Sequence, residues 1–313
     1  MTSTKDTRRV IVTGAFTNIG AAVARVLLER GRQVHTLTGR CPADPATPIT
    51  RAPLHFERLH LVRELEGADA LVNTYWIRLP MAGRSFEGAV ANSRLLFDAA
   101  REAGVGRVVH ISVCNAPEGR NLAYYRGKAD VEDILRDTGL PHTILRPTLV
   151  VSHRDVLTNN IVWLLRRFPV FLLPGCGRAR LQPILLDETA RIIADAVDET
   201  GSRVADLAGP EAYTFREWVA LLAESAKLRR LLIPAPSSLA LLAVSLLGLL
   251  LSDVILSRQE LQGLQQELLL SSEPPAGKAS VRAWLLESGH SLGRRYMNDR
   301  RRHFGADRHK PLG

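Results

Sequence analysis

Tyr124 and Lys128 stand four residues apart in the run Tyr124-Tyr125-Arg126-Gly127-Lys128. On a helix this spacing puts both side chains on one face, one turn apart. An ammonium beside a phenol favours the phenolate and lowers the tyrosine pKa, so the tyrosine can give and take a proton nearer neutral pH. Ser112 lies twelve residues ahead, at the end of the apolar run Arg107-Val108-Val109-His110-Ile111-Ser112. Read as a strand, that run ends where ligands bind in an open α/β sheet, and the hydroxyl would polarise a substrate carbonyl. The competing reading is a tyrosine and a lysine on a solvated helix face.

The second cluster is Thr13-Gly14-Ala15-Phe16-Thr17-Asn18-Ile19-Gly20, which follows the apolar run Arg9–Thr13 and opens a helical stretch. Gly14 permits a tight turn, and Gly20 lets the helix pack close to the strand. The helix N-terminus then offers free N–H groups and a positive dipole end to a pyrophosphate. Thr17 stands where the pattern usually has its middle glycine, so the backbone there is less free to approach a phosphate. Cofactor choice is read at the end of the following strand, where a carboxylate would hold a ribose hydroxyl and an arginine a 2′-phosphate. Thr38-Gly39-Arg40 has no carboxylate until Asp44, which favours NADP, with NAD as second choice.

The elements that must position these residues follow from the apolar spacing. Strands are expected at Arg9–Thr13, 33–38, 68–73, Arg107–Ser112 and 142–146, and helices at 20–30, 86–103 and 124–137. Strands alternating with helices imply a mainly parallel, doubly wound α/β sheet covered on both faces. After residue 150 the rhythm weakens, with helical spacing at 159–167, 187–199 and 214–228. The expected organisation is a dinucleotide-binding domain over residues 1–150 and a smaller, mostly helical substrate-side domain over 151–293. Helix 187–199 is expected to pack back on the first domain, and residues 294–313 form a basic tail.

The chain has 313 residues, 46% of them hydrophobic, and a formal net charge of +9. Seven Lys/Arg against Asp299 and Asp307 give residues 294–310 a net charge of +5. Such a tail is a solvated terminus or a contact for an acidic partner. Cys41, Cys114 and Cys176 are isolated, and the nine histidines form no pair at metal-ligand spacing. No metal site, disulfide framework or specific nucleic-acid motif is expected. The polar N-terminus carries no apolar signal segment, and a cytoplasmic location is expected. The uncharged, apolar stretch Leu239–Leu251 is shorter than the about twenty residues a membrane span requires, so a buried or interface helix is expected. A peripheral membrane contact through 239–251 or the basic tail, and a homo-oligomer, stay open.

These motifs carry a resemblance. Thr13-Gly14-Ala15-x-x-x-Ile19-Gly20, His110-Ile111-Ser112, Tyr124-x-x-x-Lys128, Leu145-Arg146-Pro147-Thr148 and Gln182-Pro183-Ile184-Leu185-Leu186-Asp187 resemble the short-chain dehydrogenase/reductase superfamily in its extended or atypical branch. The nearest look is to NmrA-like and epimerase/dehydratase-like members, including those akin to the nucleotide-binding accessory subunit of respiratory complex I. The resemblance covers residues 8 to 293 and implies a Rossmann domain. It implies that Ser112 holds a substrate oxygen, that Tyr124 is the acid/base, and that Lys128 binds the nicotinamide ribose and tunes Tyr124. Gly14, Ala15, Thr17, Asn18, Ile19, Gly20 and Arg40 would line the phosphate and ribose end. Asn73, Pro147 and Thr148 would line the rest of the cofactor, and Asn92 would support a proton relay.

Besides Thr17, three positions depart from the family pattern. His55 stands where an adenine-capping carboxylate is usual, and bulky Tyr75 and Trp76 replace small residues after the fourth strand. The expected function is hydride transfer between a nicotinamide cofactor and a carbonyl or hydroxyl carbon of a small molecule, by a short-chain-type reductase, dehydrogenase or epimerase. The alternative is a non-catalytic NAD(P)-binding redox sensor or an accessory protein of a membrane complex.

Overall fold

The computed structural model describes residues 8–42, 44 and 46–304. The last part of the basic tail, residues 305–313, lies outside the described residues. Two compact units divide the chain. Of the described residues, one takes in those up to Arg146 and Thr189–Ala205; the other comprises Pro147–Glu188 and residues 206–304.

The first unit follows the order β1 (Arg9–Thr13), α1 (Asn18–Glu29), β2 (Gln33–Leu37), β3 (Thr50–Ala52), α2 (Arg58–Leu65), β4 (Ala70–Asn73), α3 (Phe86–Glu102), β5 (Arg107–Ile111), α4 (Ala123–Asp137) and β6 (His142–Pro147). The second half of the chain continues with β7 (Leu149–Val151), α5 (Val156–Arg167), β8 (Val170–Pro174), β9 (Arg180–Leu181), β10 (Pro183–Leu185), α6 (Leu186–Ala196), β11 (Arg203–Leu207) and β12 (Tyr213–Thr214). It closes with α7 (Phe215–Ser225), β13 (Leu231–Ala235), α8 (Ser237–Leu251), α9 (Arg258–Gln265), α10 (Val281–Ser288) and α11 (Asp299–Phe304).

Seven strands form one sheet in the order β11-β6-β5-β4-β1-β2-β3. The chain steps outward from β1 through β2 to β3, then returns to lay β4 parallel to β1, with Val10, Ile11 and Val12 beside Ala70, Leu71 and Val72. The strand order therefore reverses between β1 and β4. The crevice beyond their C-terminal ends is the place where an open α/β sheet takes its ligand.

Side chains alternate across this sheet, as strand geometry demands. Ile11, Leu71, Val108 and Ile144 pack with Leu61 and Leu65 of α2, Leu96 and Phe97 of α3, and Val131, Ile134 and Leu135 of α4. Val10, Val12, Val72 and Val109 point the other way and are fully buried. That face is covered by α1, and Arg30 at its end pairs with Asp195 of α6 at 2.7 Å.

The second unit has its own core, built around Trp218, Leu222, Val162, Leu165, Leu173, Val281 and Leu285. Its helices are interleaved with three two-stranded sheets, β7–β10, β9–β12 and β8–β13. Runs of two to five residues are too short for periodicity to reveal.

Of the two expectations for 239–251, a buried or an interface helix, burial within the chain is corrected. α8 buries only Ala240 and Gly248. Leu239, Leu242, Leu246, Leu249 and Leu250 are between 50% and 83% exposed. The cause is geometric: the small residues take the narrow contact stripe, where a Cβ on Gly248 would meet the Asp253 carbonyl at 2.6 Å. The leucines are thereby turned outward. Among the described residues no helix is long and apolar enough to cross a membrane.

Candidate functional site

The loop after β1 is fixed by its own backbone. Gly14 takes φ +74°, which a side chain would strain. Its N–H donates to Leu37 O at 3.0 Å, and Ala15 N–H donates to Thr36 Oγ1 at 3.0 Å. Thr17 is the residue before α1, yet it does not cap the helix with its side chain. Its hydroxyl turns back and donates to Gly14 O at 2.7 Å, beside its own N–H on the same oxygen at 2.9 Å. The threonine thus locks the turn from within the loop.

This arrangement fits a phosphate. No side chain caps α1, and its first turn carries no acidic residue, so the helix end meets a ligand with its amides and its dipole. A Cβ on Gly20 would stand 2.3 Å from Gly14 O, so only glycine lets the helix sit this close to the turn. Ala15 is buried, while Thr17, Asn18 and Ile19 are half-buried at the loop surface.

Asn73, at the end of β4, is fully buried. Its Oδ1 accepts from the Thr13 hydroxyl at 3.1 Å and from Tyr75 N–H at 3.0 Å. Its Nδ2 donates to His110 Nδ1 at 3.1 Å, which leaves the imidazole proton on Nε2. Burial, with Lys128 nearby, holds the His110 pKa well below the usual histidine range. The side chain of Asn73 therefore ties β1, β4 and β5 together under the switch point. Asn92 Nδ2 donates to the Tyr75 hydroxyl at 2.9 Å.

At the end of β2, Arg40 is buried, and its backbone N–H donates to Thr38 Oγ1 at 3.2 Å. Exposed Arg51, paired with Thr36 in the register of β3 on β2, brings Nη1 to 3.5 Å from Arg40 O. The sequence reading missed Arg51 because three residues of mostly exposed strand leave no apolar signal.

The other end of the site is carried by α4. Lys128 is buried and donates from Nζ to Ile111 O at 2.8 Å. The Trp76 ring covers it, with its centroid 4.9 Å from Nζ. Burial pushes the lysine down to about 7, against the pull of Glu132. Tyr124 meets the same tryptophan edge-on at 6.1 Å and Phe86 at 5.9 Å. Trp76 fits because residue 127 is glycine: a Cβ there would lie 2.8 Å from Cη2 of the indole. Tyr124 and Lys128 are thus brought to one aromatic wall.

Ser112 goes elsewhere. Its hydroxyl donates to Glu132 Oε1 at 2.5 Å. Glu132 is fully buried and also accepts from Arg146 Nε and Nη2 at 2.9 and 2.6 Å and from Arg136 Nη2 at 3.0 Å. Tyr124, Lys128 and Glu132 form one stripe along α4 at successive turns. Glu132 was not singled out from the sequence, although a carboxylate on the apolar face of an amphipathic helix was a signal. Pro147 and Thr148 belong to the second unit. The Thr148 hydroxyl donates to the carbonyls of Gln182 and Leu207.

Comparison with known proteins says what kind of domain carries this loop. Residues 14–160 match a family described as NAD(P)H-binding. The match makes this part of the chain an NAD(P)H-binding domain. Among curated relatives, NADH dehydrogenase [ubiquinone] 1 alpha subcomplex subunit 9 of Arabidopsis thaliana is 24% identical over 155 residues, 48% of this chain and 39% of that protein. Sterol demethylase protein B of Methylococcus capsulatus is 31% identical over 171 residues, 46% of this chain and 52% of that protein. The chain thus spans about half or less of the length of the curated relatives it matches.

Solved structures share the fold of the NAD(P)-binding chain at low identity. The NADPH-dependent quinone oxidoreductase QOR2 of Escherichia coli, complexed with NADPH, superposes with a TM-score of 0.69 at 20% identity, over 90% of this chain and 98% of its own. The triphenylmethane reductase of Citrobacter sp., complexed with NADP(H), gives a TM-score of 0.70 at 16% identity, over 90% and 99%.

Proposed function

We propose that this NAD(P)-binding protein is an oxidoreductase that passes hydride between the nicotinamide of NADP(H) and a carbonyl or hydroxyl carbon of a small molecule. The observation that carries the reading is the α4 stripe. Tyr124 and Lys128 share one wall at the end of the sheet where the cofactor loop lies, and the lysine is held near neutral titration. Bound cofactor would supply the hydride. Tyr124 would give or take the balancing proton at its phenolic oxygen, and the Lys128 ammonium would stabilise the phenolate. Trp76 and Phe86 would exclude water from that proton. Ser112 would polarise the substrate oxygen only after its proton leaves Glu132. The cation pair Arg40 and Arg51, at the ends of β2 and β3, supports NADP over NAD as the preferred cofactor.

A second reading is favoured by a specific observation. Ser112 is committed to Glu132, and Lys128 to Ile111 O under an indole. A chain frozen in this state would bind the cofactor without turnover, as a sensor or an accessory protein. A screen of aldehydes, ketones and quinones, followed by loss of nicotinamide absorbance, separates the two. Turnover that Tyr124→Phe abolishes supports the enzyme. Tight NADPH binding with no turnover on any acceptor supports the second reading.

A further inference from the structure

We propose that the exposed apolar surface of the second unit, built from α8 and β13, docks on an anionic lipid bilayer. From Leu231 to Ser252 the chain contains no charged side chain. Along this stretch Leu231 is 65% exposed, Leu249 76% and Leu250 83%. Ile233, Leu239, Leu242 and Leu246 continue the surface. Exposed Phe168 extends it at the start of β8, where Leu231 N–H donates to Pro169 O. Scattered exposed leucines are ordinary, but a contiguous run on one helix and its leading strand marks a contact surface.

The chemistry selects the occupant. A helix of 15 residues extends about 22 Å, short of the roughly 30 Å hydrocarbon core, so it lies in the interface rather than across it. Cations border the apolar surface at both ends. Exposed Arg167 precedes Phe168, and exposed Lys227 and Arg229 lead into β13. At the far end Asn298 Nδ2 donates to Leu251 O at 2.8 Å, and the N–H groups of Asp299 and Arg300 donate to Asp253 at 2.9 and 3.1 Å. These bonds dock the start of α11 on the end of α8 and bring exposed Arg300 and Arg301 to that end of the helix. Of the two carboxylates at this end, Asp253 is spent on those amides and on the Tyr296 hydroxyl, and Asp299 is half-buried at the start of α11. An apolar strip rimmed by cations complements acyl chains beneath anionic headgroups. A second copy of the chain would instead bring the same cationic rims against each other.

The test is sedimentation of the full chain with vesicles of phosphatidylcholine alone and of phosphatidylcholine with phosphatidylglycerol. The wild type binds the anionic vesicles, and added salt weakens the binding. The L246S/L249S/L250S variant, whose substitutions are all at exposed positions, stays folded and loses roughly tenfold or more in partitioning. R300Q/R301Q loses less, and its binding responds less to salt. A Leu250→Trp reporter shifts its emission to the blue on adding anionic vesicles. Wild-type protein that stays with the supernatant, or a leucine variant that binds as well as wild type, overturns the proposal. So does a wild-type dimer in light scattering that the leucine variant dissociates, because the surface is then covered by a second copy.

Discussion

The two ends of the crevice differ in how their polar groups are spent. At the phosphate end, the loop 14–20 satisfies itself through Gly14, Thr36 and Thr17 and leaves the helix end without a side-chain cap. At the α4 end, the hydroxyl of Ser112 is taken by a buried carboxylate, and the amine of Lys128 is taken by a backbone carbonyl. One end leaves its helix start uncapped and the other spends its polar groups on its own neighbours. The family match agrees with the first. On the proposed function, NAD(P) binding is built into the turn, whereas turnover requires polar groups on α4 to exchange partners.

The largest effect that would break this contrast comes from Gly20→Val. A side chain at position 20 collides with the Gly14 carbonyl and must push α1 off the turn. Calorimetric titration should show a loss in NADPH affinity of roughly 100-fold or more, the scale of about 3 kcal/mol of misplaced contacts. Retained affinity would mean that the pyrophosphate does not sit on this helix.

Glu132→Ala comes next. It leaves Arg146, Arg136 and Ser112 without their shared acceptor in a buried site. Unfolding in urea should show a destabilisation of about 3–5 kcal/mol. NADPH affinity should change far less than in Gly20→Val, because the carboxylate stabilises α4 and not the phosphate loop.

Lys128 gives a pH signature. Its pKa is lowered on folding, to about 7 from its ordinary 10.5. Between these values the unfolded lysine binds a proton that the folded one does not, so stability should rise as pH goes from 7 towards 10. Below pH 7 both states are protonated and the contribution is flat. Lys128→Met should flatten that rise, by a few kcal/mol across the window. Denaturant midpoints that rise equally in both proteins would mean the amine is not desolvated.

Tyr124→Phe is the mildest change to the fold and the sharpest to the chemistry. Stability should move by less than about 1 kcal/mol, while turnover of any substrate found should fall by roughly 100-fold or more. Unchanged turnover would remove Tyr124 from the reaction.

The parts of this molecule that were legible in the sequence are those whose packing writes a period into the chain. β1, α1 and β2 are readable because Val10, Val12, Val23, Val26, Leu27, Val34 and Leu37 must all be buried. β3 and α2 are not. β3 has two exposed residues of three, and α2 buries only Leu61 and Leu65. α8 misleads for the opposite reason. Its apolar residues are continuous, but apolarity does not say whether protein or something else covers them. At the site, the glycines are legible because backbone geometry demands them. The partners of Ser112 and Lys128 are not, because a hydroxyl or an amine can serve a substrate or a buried neighbour with the same residue type.

The central claim is that the phosphate end is complete as folded. Calorimetric titration of the wild-type chain with NADPH and NADH, repeated on Arg40→Ala, tests it most directly. Saturable one-to-one binding, tighter for NADPH and with that preference lost in Arg40→Ala, is the predicted result. Absence of binding to either nucleotide would contradict the account.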